Sequence, residues 1–123
     1  MKRIFVWLTL FMFVAASPLA LAFSPSDKVF TSGEKTASAL ILTGAGFFHQ
    51  LIVQPDGVND VTVSVYDNTA ASGTKILPTI VFAGDEGPQA TPPVWIYVDA
   101  GIYVSISVAG GGTVAYTTLY RKQ

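Results

Sequence analysis

What most limits the fold of this chain is a period-two alternation of apolar and polar residues, interrupted by Gly or Pro about every dozen positions. Val61-Thr62-Val63-Ser64-Val65-Tyr66 sets three valines on one side and Thr62, Ser64 and Tyr66 on the other. Ile102, Val104, Ile106 and Val108 likewise alternate with Tyr103, Ser105 and Ser107. Successive side chains of a strand point to opposite faces, so each segment has one apolar face to bury. An amphipathic helix would need apolar residues at i, i+3, i+4 and i+7, and beyond the first 22 residues no stretch supplies them.

Carried along the chain, the pattern predicts seven or eight strands. A short one lies near Val29-Phe30. Others cover Thr36 to Thr43, Phe47 to Val53, Val61 to Tyr66, Ile76 to Phe82, Val94 to Val98, Ile102 to Val108 and Thr113 to Tyr120. Pro78 makes the start of its strand irregular or places it at an edge. Pro55-Asp56-Gly57 and Asp99-Ala100-Gly101 read as turns, and Gly84 to Pro93 as a long exposed loop. Ala109 to Gly112, with three consecutive glycines, is expected to close a hairpin. Strands at this spacing, each with one apolar face, predict an all-β domain: an antiparallel β-sandwich, jelly-roll-like, over 23–123.

The first 22 residues have another character. Met1-Lys2-Arg3 is a short positive start, Ile4 to Ala16 is uncharged and apolar, and Ala20-Leu21-Ala22 supplies the small residues signal peptidase needs. This layout predicts a Sec-type signal peptide at 1–22, cleaved before Phe23, and hence a periplasmic or extracellular protein. The rival reading is a retained anchor: the uninterrupted apolar run Ile4 to Ala16 falls short of the about 20 residues a spanning helix needs, but counting on to Ala22 comes close to that length and keeps this alternative open. The remaining chain has five bases (Lys28, Lys35, Lys75, Arg121 and Lys122) against eight acids, a formal charge of −3. Bases this few and scattered argue against nucleic acid and anionic lipid as partners. After cleavage no stable membrane insertion is expected. The chain has no cysteine, so a disulfide, a thiolate nucleophile and a zinc–thiolate site are all excluded.

The stretches Val61–Ile76 and Trp95–Lys122 resemble small β-sandwich proteins recurrent in tailed-phage and prophage genomes. The matching residues are Tyr66-Asp67-Asn68, Ser72-Gly73-Thr74, Gly101-Ile102-Tyr103-Val104 and the Gly-rich segment from Gly110 to Tyr120. The resemblance covers about half to two-thirds of the chain after Ala22. It implies a sandwich and a virion accessory or structural role rather than an enzyme. The export signal sets this chain apart from virion proteins, which assemble in the cytoplasm, and moves the expected role to the envelope or exterior.

Candidate chemistry is sparse. His49 is the sole histidine and is read as a strand residue, because a catalytic His needs a nucleophile or acid beside it. Asp56, Asn59 and Asp60 are a weak calcium candidate; Asx residues are also what turns select. Asp85-Glu86 reads as a solvated loop pair. Gly110-Gly111-Gly112 lacks the Lys and the helix of a phosphate loop. No cofactor and no catalytic residue are expected.

The aromatics carry the functional reading. In Val94 to Val98, Trp95 and Tyr97 oppose Val94, Ile96 and Val98, so the strand is apolar on both faces. If the aliphatic face meets the core, two large rings lie outside, with Tyr103 as a third candidate. Trp95, Tyr97 and Tyr103 therefore form the expected interaction surface. The expected function is a secreted, non-catalytic structural or interaction module that self-assembles or docks on an extracellular, envelope or virion-like assembly. Its expected partner is a protein or a second copy; carbohydrate binding through the same rings is the alternative.

Overall fold

A computed structural model describes residues 28–123; the expected signal peptide at 1–22 lies outside the described residues. The strands are β1 (Phe30–Thr31), β2 (Ala39–Thr43), β3 (Gly46–Pro55), β4 (Val61–Tyr66), β5 (Ile80–Phe82), β6 (Gln89–Ala90), β7 (Ile96–Val98), β8 (Gly101–Val108) and β9 (Val114–Lys122). They form two antiparallel sheets. One runs β1-β9-β3, with β6 and β7 both along the free side of β3; the other runs β2-β8-β4-β5.

β6 and β7 behave as one strand interrupted by Pro92-Pro93. Between them the chain stays on β3: Thr91 N donates to Leu51 O at 2.9 Å and Val94 N to His49 O at 3.0 Å. The Thr91 hydroxyl also accepts from Leu51 N at 3.0 Å. Counted this way there are eight strands, and the first half of the chain pairs with the second half in reverse. β1 meets β9, β2 meets β8, β3 meets β6 and β7, and β4 meets β5. A long antiparallel ribbon folded over itself in this way is a jelly roll, so the predicted sandwich is the fold observed.

The core follows the alternation. In β4 all three valines are buried while Thr62, Ser64 and Tyr66 are half-buried on the outer face. Phe48, Leu51 and Val53 from β3, Ile102 and Val104 from β8, and Val114 and Tyr116 from β9 complete the interior. The buried Tyr116 hydroxyl donates to Ala37 O at 2.7 Å, and burial pushes this phenol up to about 12.

Four expectations need correction. Ala109 to Gly112 forms a 3-10 turn, but it joins β8 to β9 across the two sheets and closes no hairpin. Alternation reports a strand's faces, and says nothing of whether the next strand is its neighbour. Gly84 to Pro93 is no plain exposed loop, since it contains β6 and the buried Thr91. The strand expected at Ile76 starts at Ile80, after Pro78. Ile106 is only partly buried against the core.

Candidate interaction surface

The outer face of the β1-β9-β3 sheet carries a cluster that begins with an irregularity in β3. The β3–β9 register steps from Phe48 opposite Tyr120 to Gln50 opposite Leu119, leaving His49 as the extra residue of a bulge. Bulges re-aim side chains. Here His49 Nδ1 reaches Val94 O at 2.7 Å. A carbonyl only accepts, so Nδ1 carries the proton and the ring is held against the segment before β7.

That ring stacks on Trp95, with centroids 4.0 Å apart and planes 21° from parallel. The Arg121 guanidinium carbon lies 4.4 Å from the centroid of the same indole. Two residue pairs further along, on the same face, Phe47 of β3 is opposite Tyr97 of β7. Their rings meet edge to face at 5.4 Å. The Tyr97 hydroxyl donates to Gln123 Oε1 at 3.2 Å. The Asp99 carboxylate close by, more than partial burial, raises the Tyr97 phenol above its ordinary value.

Although neighbours brace both rings, Trp95 remains 46% and Tyr97 47% exposed. Val98 is fully buried and Val94 and Ile96 are half-buried, so the two-faced strand points as the alternation requires. Ile52, 39% exposed, extends the apolar surface along the same sheet.

Of the three rings expected at this surface, Trp95 and Tyr97 come together and Tyr103 does not. Tyr103 lies on β8 in the other sheet, opposite Leu40 and Tyr66. In its place the surface gains Phe47, His49 and Arg121. No sequence signal marks the bulge, and Arg121 reads only as part of a charged terminus.

The acidic turn is built differently from a calcium loop. Asp56 Oδ1 accepts from Val58 N at 2.9 Å and Asn59 N at 2.8 Å; Oδ2 accepts from Asn59 Nδ2 at 2.8 Å and Thr113 N at 3.1 Å. These bonds, led by those from Asn59, hold the Asp56 carboxyl well below its ordinary value. Asp60 Oδ1 accepts from Gly84 N at 2.9 Å. Backbone and side-chain amides thus donate to the Asp56 and Asp60 oxygens and fix the turn.

Compared with protein-family profiles, curated proteins and solved structures, the chain matches none of them.

Proposed function

We propose that this protein is an exported, non-catalytic docking module that binds a protein surface through Trp95 and Tyr97, braced by Phe47, His49 and Arg121. The single observation that carries this reading is the half-exposed, pre-packed ring cluster on one sheet face. Trp, Tyr and Arg dominate interface energetics when a partner excludes water from them. Rings already held by stacking and hydrogen bonds lose little freedom on binding. The positive start, apolar run and Ala20-Leu21-Ala22 support export, with the assembly in the envelope or exterior. The resemblance to phage β-sandwich proteins supports a structural role, although a jelly roll by itself hosts many functions.

Glycan binding is the second reading, favoured by the Gln123 and Asp99 groups beside Tyr97. Stacking a sugar needs a free ring face, and His49 occupies one face of the indole. The test compares the exported protein with its Trp95→Ala/Tyr97→Ala variant in co-sedimentation with envelopes of the producing cells and in sedimentation velocity alone. Association by either route should weaken at least about tenfold in the variant while its melting curve is retained. Equal association by both proteins would refute the reading. Indole quenching by neutral oligosaccharides, with no protein association, would put glycan binding in its place.

A further inference from the structure

The strand that carries Trp95 and Tyr97 is also a sheet edge. β7 pairs with β3, Val98 opposite Gly46, Tyr97 opposite Phe47 and Ile96 opposite Phe48. Among the described residues, no strand lies on its other side.

Hydrogen bonds fix which residues face that open side. Val94 N donates to His49 O at 3.0 Å, and Val94 O accepts from His49 Nδ1 at 2.7 Å. The Val94 backbone therefore points at β3. Backbone groups of successive residues alternate between the two sides of a strand. Those of Ile96 and Val98 point at β3 as well, and those of Trp95 and Tyr97 point away from it. Among the described residues, nothing bonds to the amide or carbonyl of Trp95 or Tyr97. Unpaired groups in a row along an edge are a template for another strand.

We propose that β7 pairs antiparallel with β7 of a second copy, so that the β1-β9-β3 sheets of the two copies join across a two-fold axis at Ile96. The inference rests on the docking reading and names its partner. The strand is complementary to itself in this register. Trp95 falls opposite Tyr97 of the second copy, and Tyr97 opposite its Trp95. These are the residues with free amides and carbonyls, so each pair exchanges both backbone bonds. They are also the exposed rings, so each pair sets one aromatic against another on the outer face. His49 already covers one face of the indole, and the incoming Tyr97 arrives from the side away from β3. On the inner face Val94 falls opposite Val98. Charge does not oppose the pairing. Val94 to Val98 contains no Asp, Glu, Lys or Arg. Asp99 falls opposite Pro93, and its distance from Asp99 of the second copy is the strand length from residue 93 to residue 99, about 20 Å. Pro93 has no amide to continue the ladder. A contact that uses the same strand on both copies closes at the dimer.

The test is amide hydrogen exchange, read by NMR on the exported protein below and above the concentration at which sedimentation velocity shows a dimer. In the monomer the Ile96 and Val98 amides, bonded to β3, should exchange slowly, and the Trp95 and Tyr97 amides fast. In the dimer the Trp95 and Tyr97 amides should slow at least about tenfold while Ile96 and Val98 change little. Tyr97→Pro removes an amide that points away from β3, a place where an edge strand tolerates proline. It should dimerise at least about tenfold more weakly than Tyr97→Ala, which keeps that amide. Matched melting curves show that both variants fold; if Tyr97→Pro does not, the exchange pattern of wild type decides. A monomeric wild type, or a dimer whose Trp95 and Tyr97 amides exchange as in the monomer, would overturn the strand pairing and leave docking on envelopes standing. Association untouched by Trp95→Ala/Tyr97→Ala would overturn both.

Discussion

Val104→Ala probes the sandwich at its centre. Val104 is fully buried in β8, opposite Ala39 of β2 on one side and Val65 of β4 on the other. The substitution deletes two methyl groups, about 1.6 kcal/mol of lost transfer free energy at about 0.8 kcal/mol per carbon. An unrelaxed cavity of about 50 Å³ would add about 1.2 kcal/mol at about 24 cal/mol per Å³. The expected cost therefore lies between about 1.6 and 2.8 kcal/mol, with the upper value applying if flanking strands hold the cavity open. For a domain of about 100 residues, 2 kcal/mol lowers Tm by about 8–16 °C. Tyr103→Ala is the internal control, since Tyr103 is the preceding residue on the opposite, outer face. Losing its cross-strand contacts with Leu40 and Tyr66 should cost about 1 kcal/mol. Urea unfolding of both variants beside wild type measures the order. A Val104→Ala cost below about 0.5 kcal/mol, or Tyr103→Ala as the costlier change, would mean that β8 faces the other way.

Three further outcomes follow from named contacts. Because the folded-state pKa of Asp56 is depressed below its ordinary 3.8, its contribution is present in full above that value and is lost as pH falls through the folded value. The stability gap between wild type and Asp56→Asn should therefore shrink as denaturant melts are taken from about pH 7 to about pH 2, and a constant gap would contradict the assignment. Thermal melts with EDTA and with Ca²⁺ should coincide, because the Asp56 and Asp60 oxygens face amide donors; a large rise with Ca²⁺ would contradict that geometry. Gly101→Ala should destabilise by more than about 2 kcal/mol in a chemical melt, since φ there is 153° and a Cβ would meet Leu42 O.

The alternation made the fold legible. β4 and β8 bury the residues their patterns set inward, apart from the partly buried Ile106 and Val108, and β7 shows Trp95 and Tyr97 outward. A period of two assigns faces within a strand and leaves the order of strands open. For that reason the pattern groups Tyr103 with rings that belong to the other sheet, and reads the Gly110-Gly111-Gly112 crossing as a hairpin. The site was half legible. Trp95 and Tyr97 stood out because their strand is apolar on both faces. Phe47, His49 and Arg121 join them through register and a one-residue bulge, which arise from pairing between β3, β7 and β9 and leave no local trace.

The docking surface is tested most directly by acrylamide quenching of Trp95, the only tryptophan after residue 22. In dilute exported protein the indole should quench as a half-exposed ring, matching its 46% exposure. As concentration or an added envelope fraction drives association, the quenching constant should fall several-fold in step with the bound fraction. Association that leaves the Trp95 quenching constant unchanged would contradict the account, because the partner would then be seated elsewhere on the protein.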